Sequence, residues 1–293
     1  MTIEILGSGG AVAVPRAFCE CRVCREALEN PHPPFVRHSP SLYIHDLELL
    51  VDTPEEIRVQ LTRSGIKRVR TALYTHWHPD HTAGIRVFEG NYNVEALVDR
   101  SRSWDKTRVI LPDRVAETFG RFHALSEKLG YLERRELVTA ETVECGVPLE
   151  LTDTAGHPWT LTPVALPEEI AVGYLVEGSS RVFICMDEIK GFDGAELGQV
   201  DAAILPCGYF VENPISGEPI IAADHPVLAG EPSFDETLEI GWTINAGSTT
   251  FLHLNHGLGL TPADYEELEN RLKSDSTLPP IRFAEDMMKI VVD

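Results

Sequence analysis

The chain has 293 residues, of which 43% are hydrophobic, so it has enough apolar material for a large core. Its formal net charge is −21, and a surface of that sign repels nucleic-acid phosphates and anionic lipid headgroups. Nucleic acid is therefore a disfavoured partner, although selection for solubility explains the acidity equally well. The N-terminal segment lacks the basic and apolar regions of a signal peptide, and no stretch reaches the roughly 20 apolar residues of a membrane span. We expect a cytoplasmic protein that does not enter a membrane.

The apolar pattern of the N-terminal third predicts strands followed by a helix. Residues 2–6 are predicted as a strand and residues 41–53 as two strands around a short turn. The next helix has Thr53 as its predicted cap, Pro54 in its first position and Gly65 at its end.

Further along, the spacing of apolar residues predicts one amphipathic helix over 113–129. Ser233 with Glu236, and Thr261 with Pro262, are typical of helix starts. More strands are predicted at 70–75, 159–166, 171–177, 181–186, 201–205 and 249–254.

The domain organisation follows from these elements. No repeat or linker interrupts the sequence, so we predict a single domain over 1–293 with an α/β fold of two packed sheets covered by helices. The segment 206–232 is rich in proline and glycine and is too long for an ordinary connection. We predict that this segment is a lid over an active site.

The densest group of potential ligands is TALYTHWHPDHTAG, residues 71–84, where a predicted strand ends. Residues two apart in an extended chain point to the same side, so His76 and His78 can bind one cation. A turn after Pro79 would bring Asp80 and His81 to the same space, close enough for a second cation. Two cations about 3.5 to 4 Å apart can activate water and stabilise charge on a phosphoryl or carbonyl oxygen. The motif predicts a catalytic metal centre, and surface histidines at a strand end are the alternative.

Three of the six cysteines, Cys19, Cys21 and Cys24, form a second cluster. In a reducing compartment such clustering indicates a metal site before a disulfide. Ordinary reduced thiols are the alternative interpretation.

The motif THWHPDH resembles the signature of the metallo-beta-lactamase superfamily, whose members bind metals at the edge of a four-layer αβ/βα sandwich. The resemblance implies a bridging carboxylate, matched by Asp187 in RVFICMDE, and a last histidine, matched by His253 in TTFLHLNH. The implied ligands are His76, His78 and Asp187 for one metal, and Asp80, His81, Asp187 and His253 for the other. One or two Zn, Mn or Fe ions would suit this set.

The segment GSGGAVAVPRAFCECRVC narrows the resemblance to two branches. It is similar to the N-terminus shared by the phosphodiesterases of the carbon–phosphorus lyase pathway and the pyrroloquinoline quinone biosynthesis B proteins. That likeness implies a zinc loop at 16–25, with a structural zinc held by Cys19, Cys21, Cys24 and His256. Because the full histidine motif is present, the phosphodiesterase branch is favoured.

One ligand of that branch is missing from this sequence. The position six residues before Gly173 and Tyr174, where the branch has a histidine, holds Pro167. Glu168 or Glu169 could supply a carboxylate instead. The alternatives are that only one metal binds tightly, or that the chain has lost catalysis.

Two further residues are predicted to assist the metal centre. The resemblance implies that His225, in the segment 206–232, protonates the leaving oxygen, and an exposed loop histidine is the alternative. Asp52 ends the predicted strand LELLVD and is predicted to accept the free N–H of a ligand imidazole, with helix capping as the alternative.

The sequence thus predicts a metal-dependent hydrolase that cleaves a small phosphodiester, including cyclic ones, through a metal-activated water. Asp80 and His225 are the predicted catalytic residues. The alternatives are a thioester, lactone or tRNA 3′-end hydrolase, or a non-catalytic accessory protein of cofactor biosynthesis. The negative charge disfavours tRNA. The expected partner is a small-molecule substrate, and a homodimer is left open.

Overall fold

Two mixed sheets form the centre of the fold. The computed structural model describes residues 1–99, 101, 104–274 and 278–293. The strands of the first sheet are β1 (Thr2–Gly7), β2 (Ser41–Ile44), β3 (Leu49–Val51), β4 (Thr71–Leu73), β5 (Thr107–Pro112), β6 (Val138–Val143) and β14 (Lys289–Val291). Those of the second are β7 (Leu149–Thr152), β8 (Pro158–Ala165), β9 (Val172–Glu177), β10 (Arg181–Ile184), β11 (Ala202–Pro206), β12 (Thr249–Leu252) and β13 (Ile281–Phe283). In the described residues the strand orders are β14-β1-β2-β3-β4-β5-β6 and β13-β12-β11-β10-β9-β8-β7.

Helices cover the outer faces of both sheets. The α-helices are α1 (Arg22–Glu29), α2 (Ile57–Ser64), α3 (Pro79–Thr82), α4 (Asp113–Phe119), α5 (Leu125–Arg134), α6 (Val227–Gly230), α7 (Phe234–Ile244) and α8 (Pro262–Lys273). Short 3₁₀ helices lie at His45–Leu47, Ile85–Asn91, Val94–Leu97, Gly194–Leu197 and His256–Leu258. Helices α2, α4 and α5 contact the first sheet, and α7 and α8 contact the second. The largest buried apolar cluster contains side chains of both sheets, so the sheets pack face to face. This helix–sheet–sheet–helix arrangement confirms the predicted α/β four-layer sandwich.

The candidate ligand residues lie at the edge formed by the carboxyl ends of the parallel strands in the two sheets. Strands β3 to β6 run parallel to one another, and so do β10 to β13. The residues that follow the carboxyl ends of parallel strands meet at one edge, where ligands of α/β folds bind. Asp52 follows β3, His76 follows β4, Asp187 follows β10 and His253 follows β12.

The predicted start of α2 is wrong, whereas its end is confirmed. Gly65 ends the helix in the left-handed conformation, with φ of 70°. The helix begins only at Ile57, because the residues before it are committed to other contacts. The Thr53 N–H donates to the His81 carbonyl at 2.8 Å, and the Thr53 hydroxyl hydrogen-bonds the buried Tyr74 hydroxyl at 2.8 Å. A threonine engaged in this way cannot cap a helix.

The single helix predicted over 113–129 is also wrong. The chain forms α4 and α5 with a break between them, in which His123 and Ala124 have φ of 53° and 52°. Gly130, the residue that follows the predicted helix, lies inside α5. Phe122 stacks on Trp77 with ring centroids 4.1 Å apart, which holds the break against the histidine motif. Tertiary contact therefore overrides the helical periodicity here.

Other local predictions hold. Ser233 and Glu236 form the predicted capping box of α7, and the Thr261 N–H at the start of α8 donates to Asp264 at 2.8 Å. The segment 207–232 contains one helical turn, α6, and is otherwise irregular. Among the described residues, none of the helices combines the length and the apolar character needed to cross a bilayer.

Candidate metal centre

The histidine motif folds into a tight turn at the end of β4. His76 and His78 lie in the extended segment after the strand, and Pro79 starts the single helical turn α3. Proline suits this position because its fixed φ matches the first turn of a helix. The turn directs Asp80 and His81 back toward His76, and the rings of His76 and His81 have centroids 4.1 Å apart.

Two groups of metal-type donors meet at this turn. In each group the donor atoms all lie within 4.8 Å of one another. The first group consists of His76, His78, Asp187 and Glu188, and the second of Asp80, His81, Asp187 and His253. Asp187 belongs to both groups, so its carboxylate lies between the two clusters.

The separations within the second group fit a shared cation better than direct hydrogen bonds. His81 Nε2 lies 3.3 Å from Asp80 Oδ2, and His253 Nε2 lies 3.3 Å from Asp187 Oδ2. Both Nε2 atoms are nevertheless buried without a hydrogen-bond partner among the described residues. Two atoms each about 2.1 Å from a tetrahedral cation lie about 3.4 Å apart. The donor set therefore fits a divalent metal.

Asp52 fixes the orientation of two histidines of the donor groups. Its Oδ2 accepts hydrogen bonds from His81 Nδ1 and from the Thr75 hydroxyl, each at 2.7 Å. The Thr75 oxygen in turn lies 3.0 Å from His76 Nδ1 and can accept its proton. Both imidazoles thus carry hydrogen on Nδ1, which leaves Nε2 for the centre. The predicted orienting role of Asp52 agrees with these contacts, and Asp52 is not the N-cap of any helix in the part of the chain that the structure describes.

The pKa values of the four histidines shift in opposite directions in the two donor groups. Burial, together with the neighbouring His81 charge, lowers the pKa of His76, and burial lowers that of His78. Although burial opposes it, Asp80 and Asp52 raise the pKa of His81, and Asp187 raises that of His253. Neutral imidazole is the form that binds metal, so the second group must release protons when a cation enters.

The backbone conformation determines the orientation of three side chains at this centre. Asp52, Glu188 and His253 have φ of 61°, 58° and 60°, which is the left-handed region that L-residues rarely adopt. Each such residue costs on the order of 1 kcal/mol or more and tends to persist at functional sites. Asp52 and His253 directly follow a strand, and Glu188 lies shortly after one. The left-handed conformation changes the direction of the chain at each of them and turns the side chain toward the centre.

Glu188 is the donor that the sequence interpretation missed. Glu168 and Glu169, which the sequence offered as one way to replace the missing histidine, are both exposed and belong to neither group. Instead, Glu188 Oε1 lies 3.3 Å from His78 Nδ1. Burial and the adjacent Asp187 raise the pKa of Glu188 to about 8. Its position directly after Asp187 in the sequence was the available signal.

The segment 207–232 brings two unpredicted residues toward the centre. Glu231 is half-buried, and burial together with Asp187 raises the pKa of its carboxyl to about 7. Tyr209 is half-buried too, and its hydroxyl accepts a hydrogen bond from the Asn255 amide at 3.3 Å. His225, the residue predicted to donate a proton, is exposed, and its Nδ1 accepts a hydrogen bond from the Val227 N–H at 3.2 Å.

The three clustered cysteines also come together. Cys19, Cys21 and Cys24 form a group of donors within the same 4.8 Å limit, at the start of α1. Burial raises the pKa of Cys24 to about 11, whereas a hydrogen bond from the Cys21 backbone lowers that of Cys19. The structure does not bring His256 into this group. Its Nδ1 is buried without a hydrogen-bond partner among the described residues, and burial lowers the pKa of the ring.

Comparisons with known proteins agree with this fold. Solved structures similar to the chain include a diphosphatase from the PhnP family, with 23% identity, a TM-score of 0.66 and coverage of 99% of this chain and 96% of that one. Zinc-bound PqqB from Methylobacterium extorquens has 17% identity and a TM-score of 0.70 over 99% and 100% of the two chains. YhfI from Bacillus subtilis, a metallo-beta-lactamase fold protein, has 15% identity and a TM-score of 0.67 over 99% and 98%.

No curated protein matches the chain. The model of the family described as the beta-lactamase superfamily domain matches residues 48–254, which is more than half of the chain. That range includes the histidine motif, Asp187 and His253. The chain therefore belongs to the metallo-beta-lactamase superfamily of metal-dependent hydrolases.

Proposed function

We propose that this protein is a metal-dependent phosphodiesterase that acts on a small phosphodiester. The observation that carries the proposal is the membership of Asp187 in both donor groups. A shared carboxylate is what a pair of adjacent cations requires, and such pairs suit displacement at phosphorus. The fold it shares with a diphosphatase of the PhnP family makes phosphoryl chemistry the first reaction to test.

The described donors suffice for two cations. His76, His78, Asp187 and Glu188 would hold the first, and Asp80, His81, Asp187 and His253 the second. When bound, the cations would lower the pKa of a water molecule and neutralise charge on the phosphoryl oxygens. The second carboxylate in the first group makes that site harder than an all-histidine site, so we expect it to accept Mn or Fe as well as Zn.

The protein's own groups would then orient ligands and move protons. Asp52 holds the Nε2 atoms of His76 and His81 toward the centre. The leaving oxygen needs a proton, and two residues of the segment 207–232 are candidates. His225 is favoured by the family resemblance. Glu231 is favoured by its half-buried position and by the effect of the nearby Asp187 charge on its pKa.

We propose a separate, structural zinc at Cys19, Cys21 and Cys24. Three thiolates around one cation leave one position of a tetrahedron open, and His256 is the proposed fourth ligand. The unpartnered Nδ1 atom and the lowered pKa of His256 suit that role. A cytoplasmic setting, which we also propose, would keep these thiols reduced.

Metal analysis followed by a turnover assay tests the proposal. Purified protein should contain about one zinc that resists mild chelation and one or two exchangeable cations. Chelated protein should regain hydrolysis of a chromogenic diaryl phosphodiester when Mn or Zn is added. An aryl thioester and a lactone, assayed in parallel, represent the other hydrolase classes. Cation binding without turnover of any of these substrates would instead favour an accessory binding protein.

A further inference from the structure

A cavity outside the two donor groups lies between α1 and α8. This α1–α8 cleft has a volume of about 520 Å³, within the range of small-molecule sites. Its walls include Arg37 from the loop before β2 and Tyr265 from α8. Neither residue belongs to the proposed catalytic or zinc sites.

Arg37 is a buried cation that forms no direct ion pair among the described residues, although the Glu285 carboxylate of the same cleft interacts with it over a longer distance. Its exposed fraction is 3%, and among the described residues no carboxylate oxygen lies within 4.0 Å of its guanidinium nitrogens. Its Nη1 atom is buried without a hydrogen-bond partner in the same part of the chain. The guanidinium stacks over the Tyr265 ring at 4.9 Å, which stabilises the charge only partly. A buried charge is costly unless it is paired, so the site calls for an anionic group from outside the chain.

Tyr265 presents a second unsatisfied polar group in the same wall. Its exposed fraction is 4%, and its hydroxyl has no hydrogen-bond partner among the described residues. Buried tyrosine hydroxyls are normally hydrogen-bonded. An oxyanion that bound Arg37 could also accept a hydrogen bond from this hydroxyl.

The other charged residues that line the cleft are mainly acidic, so their charge is opposite to that of Arg37. Glu26, Glu266, Glu269 and Glu285 line the cleft together with Arg22. Glu26 pairs with Arg22 at 3.3 Å and Glu269 pairs with Lys273 at 3.2 Å. In the residues described, Glu266 and Glu285 have no ion pair. A ligand with only negative charge would be repelled here, whereas a positive group beside its anion would be attracted.

We infer that the α1–α8 cleft binds a small zwitterion of the amino acid class. The carboxylate pairs with Arg37 and accepts from Tyr265, and the ammonium group faces Glu266 and Glu285. Leu254, which follows His253, also lines the cleft, so a bound ligand contacts the segment that carries a donor of the centre. The inference does not depend on the proposed hydrolysis.

Thermal unfolding and calorimetric titration of the full chain with individual protein amino acids test this inference. At least one amino acid should raise Tm and bind with a Kd on the order of 1 mM or tighter. Its N-acetyl derivative lacks the ammonium charge and its amide lacks the carboxylate, so each should bind at least about tenfold more weakly. Absence of binding by every amino acid, or equal binding of the N-acetyl form, would overturn the inference.

Variants separate the cleft from the metal centre. Arg37→Gln should abolish binding. Because a substitution at this buried position can also impair folding, Tyr265→Phe and Glu285→Gln provide milder tests. Each of these two variants should weaken binding about threefold or more. Arg271→Gln is the control, since Arg271 lies on the same helix but pairs with Glu267 outside the cleft. Binding should persist in Asp80→Ala. Loss of binding in Asp80→Ala, or unchanged binding in all three cleft variants, would place the ligand elsewhere.

Discussion

The Asp52 carboxylate accepts a hydrogen bond from His81 Nδ1 at 2.7 Å, and both side chains are fully buried. The same carboxylate orients the His76 ring through the Thr75 hydroxyl. One residue that touches no cation in our proposal thus orients a ligand of each donor group. We expect Asp52→Asn to lower the affinity for exchangeable metal by about 10- to 100-fold, because the amide cannot hold the imidazole tautomers as a carboxylate does.

Chelator competition measures that change. Asp286→Asn is the matched control, since Asp286 is also buried and accepts from a histidine, His38 Nδ1 at 2.6 Å, outside the donor groups. It should lower stability without altering metal affinity. Equal losses of affinity in the two variants would mean that Asp52 acts only through stability.

Asp187 and Asp80 should differ in the number of cations they control. Asp187→Asn removes a donor from both groups, so we expect both exchangeable cations to be lost and turnover to fall by about a thousandfold or more. Asp80→Ala removes a donor of the second group only. It should abolish turnover but leave one exchangeable cation and the cysteine-bound zinc. Metal content by mass spectrometry and the diester assay report the two effects, and an active Asp80→Ala variant would reject the mechanism.

Glu188 should make the metal-free protein less stable as pH rises. Its folded pKa of about 8 lies above its ordinary value of 4.5, so the folded state binds the extra proton between these values. Stability from this group is complete below about pH 4.5 and is lost as pH rises through 8. After chelation, Glu188→Gln should therefore gain Tm relative to the parent protein from pH 5 to pH 9.

The same substitution should act in the opposite direction on metal binding. Glu188→Gln removes a carboxylate from the first group, so affinity for one exchangeable cation should fall, with a larger loss for Mn than for Zn. A Tm difference that stays constant with pH, combined with unchanged metal affinity, would show that Glu188 is not a ligand.

Cys21→Ala should affect the fold and leave the reaction intact. We expect a lower Tm and the loss of about one zinc per chain, because a closed structural site contributes to folding. Turnover per folded molecule should stay close to that of the parent. Cys145→Ala, a half-buried cysteine outside the cluster, is the control. If Cys21→Ala lowered only turnover, the catalytic and structural assignments would be exchanged.

Glu231 and His225 compete for the role of proton donor. A general acid contributes about 10²- to 10⁴-fold, and it matters most for a poor leaving group such as an alkoxide. We expect Glu231→Gln to slow alkyl diesters far more than aryl diesters, because its carboxyl is half-buried beside the centre. His225→Ala should have little effect, since His225 is exposed. The reverse ranking of the two variants would support the role that the resemblance gives to His225.

The sequence by itself determined the features that depend on a few neighbouring residues. The ligands of the histidine motif lie within six positions, so the strand end and Pro79 were enough to predict that they converge. Gly65 at the end of α2 and the capping box of α7 are likewise local, because their hydrogen bonds close within one helical turn.

Only the tertiary structure decided which distant groups meet. Glu188, and neither Glu168 nor Glu169, belongs to the first donor group because its left-handed backbone after β10 turns the side chain inward, which no periodicity reveals. Phe122 breaks a predicted helix because Trp77 offers it a stacking partner. Arg37 is buried in the cleft between α1 and α8, where it forms no direct ion pair with any described residue. Short-range hydrogen bonding is specified by adjacent residues, whereas burial and charge pairing depend on how the sheets and helices pack.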